Sequence, residues 1–148
     1  MVSDAIGRID TARIDVIVLE NPYVPWIGSF GFAGTNALMN SDPGGLENLA
    51  EYGLGGIPNL GNDSVIPTFG ASTADPQIFE YIYRRRDAED RGLTYYLEIS
   101  PSLIPAIWNT SGYGETGSAL IDTNFKAVIN AFSTSDTNGF VRLRIKKN

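Results

Sequence analysis

The residues best suited to chemistry in this chain are three consecutive arginines with tyrosines on both sides: Arg84, Arg85, Arg86, Tyr81, Tyr83, Tyr95 and Tyr96. Guanidinium groups and phenol rings together can bind single-stranded nucleic acid, because the cations neutralise phosphates and the rings stack on bases. Acidic residues follow at once, at Asp87, Glu89 and Asp90, and cancel the positive charge. The arginine run therefore favours a solvated loop, or a loop that pairs with carboxylates of a second copy of the chain, over a nucleic-acid site.

Cysteine and histidine are absent. Their absence excludes disulfides, thiol nucleophiles, catalytic dyads with histidine, haem ligation and zinc sites of the ordinary type. A pair of carboxylates remains possible for glycoside hydrolysis, with Glu98 close to Trp108 or Glu80 beside Tyr81. Such proximity is expected by chance in a chain with 17 acidic residues. We therefore predict no enzyme activity, no cofactor and no metal site.

Two further patterns are weak. Gly28, Gly31 and Gly34 match neither the dinucleotide-binding nor the phosphate-binding glycine spacing, and no lysine follows them, so close backbone packing is the better interpretation. The aromatic residues Tyr23, Trp26 and Trp108 could stack on sugars in a carbohydrate- or receptor-binding module. Packing in a core or an interface is the simpler role for them.

Length and charge set the broad class. With 148 residues and a net charge of −6, the chain is the size of one domain, and its acidity disfavours nucleic acid and anionic membranes as partners. The longest aliphatic run, Val16 to Leu19, is too short to span a membrane. The acidic start, residues 1–5, does not resemble a secretion signal. We expect the protein to be made in the cytosol and used there or in a particle assembled there.

The segment from 21 to 75 holds ten of the 16 glycines and five of the eight prolines, yet it is rich in large apolar side chains. Glycine and proline break regular structure, whereas disordered linkers lack aromatic residues. We therefore predict an irregular but ordered arm. Within it, Asp42 and Pro43 predict the start of one short helix that Gly53 ends.

The segment from 76 to 148 is predicted to be compact and β-rich. Residues 12–20 and 140–147 predict strands, the latter with Val141, Leu143 and Ile145 inward and a basic face outward that meets solvent or an acidic neighbour. Residues 75–86 suit a strand better than a helix, and 93–99 could return alongside them. Apolar residues at four, seven, eight and eleven positions after Ile121 predict a helix. A turn is predicted to follow over 133–139. The fold class is a β-dominated α+β domain with one or two short helices.

An apolar arm without reactive chemistry is typical of proteins that associate with copies of themselves or with a scaffold. In size, acidity, lack of cysteine and histidine, and its Gly/Pro-rich arm, the chain resembles a head-decoration (cement) protein of tailed bacteriophages. The resemblance implies a structural virion protein, a homotrimer and contact with the major capsid protein. A phage tail or connector component is an alternative. The predicted interface residues are Tyr23, Trp26, Phe30, Phe32, Leu54, Ile57, Phe69, Arg84, Arg85 and Arg86.

Overall fold

The computed structural model describes residues 2–3, 9–10, 21–34, 36–61, 64–87, 92–133 and 139–148. Two short strands at the start, β1 (Val2–Ser3) and β2 (Ile9–Asp10), pair antiparallel with each other. The strand predicted over 12–20 lies outside the described residues, as does most of the turn predicted over 133–139.

The larger sheet has four antiparallel strands in the order β3-β4-β7-β6. They are β3 (Thr68–Ala71), β4 (Ile78–Arg86), β6 (Gly114–Leu120) and β7 (Phe125–Ser133). The aromatic alternation that favoured a strand near residues 75–86 is confirmed by β4. A register shift between Glu115 and Gly117 makes a bulge in β6 where it pairs with β7.

The smaller sheet pairs β5 (Leu93–Ser100) with β8 (Phe140–Lys147), antiparallel, with Leu97 opposite Leu143. Both strands were predicted, but the expected pairing of β5 with β4 is wrong. The two strands lie in different sheets, and the rings of Tyr83 and Tyr95 stack across them with centroids 6.0 Å apart. Their aromatic faces are thus buried against each other, which pairing edge to edge would not achieve.

The helix predicted from Ile121 is also wrong, because most of that stretch forms strand β7. This strand is central, with β4 on one side and β6 on the other. Its apolar residues divide between the two faces of the sheet: Val128 is fully buried in the main core on one face, and Phe125 is buried on the opposite face. A strand that is apolar on both faces can mimic the spacing of a helix.

Two short helices stand in the segment predicted to be mostly irregular. Helix α1 (Tyr23–Ser29) was not predicted. Helix α2 (Asn48–Leu54) begins later than the predicted start, because the Asp42 carboxylate accepts a hydrogen bond from the Gly44 N–H and makes a turn there instead. The helix ends at Gly55, in the left-handed conformation, and not at Gly53. Neither helix is long and apolar enough to cross a membrane.

Two apolar clusters hold these elements together. The main core joins Leu54 and Val65 of the predicted arm with Tyr83, Leu97 and Val128 of the sheets. A second cluster packs α1 on α2 through Tyr23, Ile27, Leu49 and Tyr52. The arm therefore folds onto its own domain, and the fold is a β-dominated α+β domain as predicted.

Candidate functional site

Residues 101–107, between β5 and β6, form a loop that we call the apolar loop. The buried Ser100 hydroxyl fixes it, donating a hydrogen bond to the Ser102 carbonyl at 2.6 Å and accepting one from the Ile107 N–H at 3.0 Å. The Ser102 hydroxyl makes the same kind of paired contact with the carbonyl and N–H of Ile104. At the base, Ile99 exchanges two backbone hydrogen bonds with Asn109. These bonds give the loop a defined shape.

The apolar loop directs its largest side chains into solvent. Ile104 is 91% exposed, Ile107 is 69% exposed and Leu103 is 53% exposed. The surrounding stretch from 99 to 114 contains no charged residue. Isolated apolar side chains on a surface are ordinary, whereas contiguous ones mark contact sites. A rigid, uncharged loop can be buried against a partner at low cost in side-chain ordering and in desolvation of charge.

The arginine run lies at the end of β4 and not in a loop as predicted. Arg84 Nη2 lies 3.7 Å from Asp122 Oδ2, and Arg85 Nη1 donates a hydrogen bond to Glu115 Oε2 at 3.3 Å. Both side chains are thus paired with carboxylates of their own chain. These intrachain pairs satisfy the two arginines without a second copy of the chain, and the predicted pairing between copies stays a prediction.

Arg86 is held more closely. Its Nε donates a hydrogen bond to the Tyr52 carbonyl at 2.8 Å, and its guanidinium carbon lies 3.9 Å from the centroid of the Tyr52 ring and 4.8 Å from that of Phe125. Cation–π contacts of this kind stabilise a partly desolvated guanidinium. Arg86 therefore fastens α2 to the larger sheet.

Three of the four tyrosines around the arginines pack in or against the main core and do not form an open surface for stacking bases. Burial raises the pKa of Tyr81, Tyr83 and Tyr95 above the ordinary value of a phenol, and for Tyr95 to about 12. Tyr83 belongs to the main core, and Tyr81 and Tyr95 pack against it. A base could reach the ring of Tyr83, which is 5% exposed, only if the two sheets separated.

The predicted interface residues of the arm fall into three groups. Tyr23 and Leu54 are buried inside the domain, so a partner cannot reach them in this structure. Trp26, Phe30 and Phe32 are half-buried around α1. Ile57 and Phe69 are exposed, and the Phe69 ring stacks on Phe79 at the open β3 edge of the sheet, with centroids 5.1 Å apart. Only this last group can contact a partner with most of its side chain.

Glu98 and Trp108, considered above as a catalytic or sugar-binding pair, are joined by Arg142. The Arg142 Nε donates a hydrogen bond to Glu98 Oε2 at 2.6 Å, and its guanidinium carbon lies 4.0 Å from the centroid of the Trp108 ring. The carboxylate is thus in an ion pair and one face of the indole is covered. Trp26 packs against other aromatic rings, and the centroid of its ring lies 5.0 Å from that of Tyr52. These contacts favour structural roles.

Sequence reasoning missed the apolar loop. Pro101 and Pro105 were interpreted only as interruptions before Trp108. The available signal was the absence of charge from 99 to 114, but residues 21–41 lack charge as well. Composition alone cannot distinguish a buried uncharged stretch from an exposed one.

The fold and the site together define a small β-dominated domain with an exposed apolar loop. Comparison with protein-family models, with curated protein sequences and with solved structures found no match to this chain.

Proposed function

We propose that this chain is a non-enzymatic structural protein that acts through protein–protein contact, as a component of a virus particle. The form that fits best is a head-decoration protein that associates with copies of itself and stabilises the shell. The apolar loop carries this proposal, because its three large side chains are exposed and uncharged, and hydrogen bonds from Ser100 hold the backbone that presents them.

The energetics suit a protein that acts in many copies. Burying one isoleucine or leucine side chain contributes about 1.5–3 kcal/mol. One loop supplies only a few such side chains, so each contact is weak. On a lattice, the same contact is repeated and several contacts of one oligomer act together, so the total binding is far stronger than any single contact.

The acidic side chains support a structural role. Glu98 pairs with Arg142 and Arg144, and Asp87 Oδ1 lies 2.9 Å from Lys126 Nζ. Glu115 and Asp122 pair with arginines of β4. Glu98, one of the two carboxylates considered for catalysis, is thus engaged in ion pairs with arginines of the neighbouring strand β8.

Native mass measured over a hundredfold dilution tests self-association. The wild-type chain is compared with the double variant Ile104→Asp/Ile107→Asp, which places two charges on the loop. Leu120→Asp is the matched control, because Leu120 is 72% exposed but lies at the end of β6, outside the loop. We expect a closed oligomer for the wild type and the control, and a monomer for the double variant.

Two results would refute the proposal. A wild-type chain that stays monomeric at every concentration would show that it does not self-associate. An oligomer of unchanged mass in the double variant would show that the apolar loop does not hold it. Circular dichroism of the three proteins shows whether each is folded, so that loss of assembly is not confused with unfolding.

A further inference from the structure

A groove of about 380 Å³ lies between helix α2 and strand β8, and we call it the β8 groove. Five consecutive residues of β8, from Val141 to Ile145, line it. Side chains of a strand alternate between the two faces of its sheet, so consecutive residues line the same groove only where the groove follows the edge of the strand. Among the described strands, β8 pairs only with β5, so its other edge is open to this groove.

Hydrogen bonds on the far side of β5 show which way the backbone of β8 points. The Leu97 N–H donates to the Tyr113 hydroxyl at 3.0 Å, and Ile99 exchanges two backbone hydrogen bonds with Asn109. Leu97 and Ile99 therefore direct their backbone groups away from β8. They stand opposite Leu143 and Val141 in the register.

Opposed residues of an antiparallel pair either exchange both hydrogen bonds or exchange none. Because Leu97 and Ile99 bond away from β8, Leu143 and Val141 must direct their own N–H and C=O groups away from β5, into the groove. Backbone directions alternate along a strand, so Ile145, two residues after Leu143, also directs its N–H and C=O groups into the groove. A hydrogen bond between the Tyr81 hydroxyl and the Leu143 backbone agrees with this direction. The groove thus presents the strand-pairing groups of Val141 and Ile145, on either side of the Leu143 backbone group that Tyr81 already engages.

The side chains around this row are of two kinds. Opposite β8 the lining is mainly apolar, with Leu46, Leu49 and Leu54, and it contains one acidic residue, Glu47. On the outer face of β8 the side chains are basic. Arg144 is more available than Arg142, since 54% of its side chain is exposed against 42%, and its contact with Glu98 is 3.8 Å against 2.6 Å. This face is positive in a chain whose net charge is −6.

We propose that the β8 groove binds an extended segment of another protein, which adds to β8 as a further strand. The segment alternates apolar residues, directed toward α2, with acidic residues, directed toward Arg142 and Arg144. Backbone hydrogen bonds to an open strand edge supply affinity, and the alternating side chains supply specificity. Opposite charges on neighbouring strands add to the stability of the pair.

A second copy of this chain fits the groove less well than a foreign segment. Two β8 edges side by side would bring arginines against arginines, which disfavours the pairing. The open edge strands of the larger sheet do not alternate apolar with acidic residues: β3 carries no acidic residue, and β6 carries only Glu115, which is paired with Arg85. The inference does not depend on self-association through the apolar loop.

The test uses the full chain and a synthetic peptide of about seven residues, long enough to cover the lining stretch of β8, in which valine and aspartate alternate. One control peptide has the same composition with all valines first, and another has lysine in place of aspartate. The readouts are a binding isotherm and amide hydrogen exchange resolved by residue. We expect the alternating acidic peptide to slow exchange of the Val141 and Ile145 amides and the two control peptides not to do so.

Charge variants of the protein sharpen the test. Arg144→Glu should weaken binding of the acidic peptide by at least about tenfold and favour the lysine peptide, because like charges then face each other. Lys146→Glu makes a comparable change of charge on the same face of β8 but outside the groove lining, and should have a smaller effect. Both side chains are exposed, so neither change should prevent folding.

Three outcomes would overturn the inference. Unchanged exchange at Val141 and Ile145 with the alternating acidic peptide would show that no strand is added. Equal protection by the block-ordered peptide would show nonspecific apolar adhesion. Slower exchange with rising protein concentration and no peptide would identify a second copy of the chain as the occupant.

Discussion

Replacing Gly55 with alanine should lower the free energy of unfolding by about 1–3 kcal/mol more than replacing Gly31 with alanine. Both glycines have φ of +86°, so a side chain costs left-handed backbone strain at each position. Both substitutions also reduce the entropy of the unfolded chain to the same extent. The difference between the two variants therefore isolates what the added methyl group meets.

At Gly55, a Cβ atom would lie 2.9 Å from Cζ of Phe125, whereas at Gly31 nothing lies within 4 Å. The Phe125 ring has little freedom to move away. It is 9% exposed, and the guanidinium carbons of Arg84 and Arg86 lie 5.0 Å and 4.8 Å from its centroid. Overpacking against such a ring costs about 1–3 kcal/mol, which is the size of the expected difference.

Urea unfolding of the two variants, followed by circular dichroism, measures this difference from the midpoints and slopes. Equal losses of stability would refute the reasoning, because they would show that the ring of Phe125 yields without cost. A change of slope in either variant would indicate an altered unfolded or native state. The free energies of unfolding would then have to be compared at one denaturant concentration.

Two further predictions concern the core. Leu97→Ala should lower the free energy of unfolding by about 2–5 kcal/mol, since Leu97 is fully buried. Leu120→Ala should change it by no more than about 0.5 kcal/mol, because Leu120 is exposed. Equal urea midpoints for the two variants would contradict this. Burial raises the pKa of Tyr95 from 10.0 to about 12, so the stability that this residue contributes is complete below pH 10 and is lost as the pH rises toward 12. At neutral pH, Tyr95→Phe should lower the free energy of unfolding by about 1 kcal/mol, because the hydrogen bond to the Gly53 carbonyl is lost. The difference in stability between wild type and variant should shrink between pH 10 and 12. Parallel curves of stability against pH for the two proteins would contradict a raised pKa of Tyr95.

Strand β8 could be predicted from the sequence because its alternation has a single interpretation. Val141, Leu143 and Ile145 pack on the main core, and the basic residues between them face outward, where Arg142 meets the carboxylate of Glu98 as expected of an acidic neighbour. Strand β4 could be predicted for the same reason. In each case, one face of the strand is more apolar than the other, and the period of two is visible.

Strand β7 and helix α1 could not be predicted in this way. A central strand with apolar residues on both faces loses the period of two, so Phe125, Val128, Ile129 and Phe132 took on the spacing of a helix face. Helix α1 contains Pro25 and Gly28, which weaken any local preference for a helix, and its packing on α2 stabilises it. In both elements tertiary contacts outweigh local preference.

Less of the site than of the fold could be predicted from the sequence. Arg85 and Glu115 are 30 residues apart, and no local pattern indicates that they meet. The exposure of the apolar loop likewise depends on where β5 ends and how Ser100 is buried. Sequence reasoning identified the right kind of feature, apolar residues beyond the needs of the core, but assigned it to residues 21–75, where much of it is packed within the domain.

The bulge in β6 bears on how this protein behaves at high concentration. Among the described strands, β6 forms an edge of the larger sheet, and an unpaired edge can recruit the same edge of other molecules into a growing fibre. The irregularity between Glu115 and Gly117 interrupts the spacing of the outer backbone groups, so a straight incoming strand can match only one side of it. A protein that must be stored at high copy number before it is used would gain colloidal stability from such an interruption.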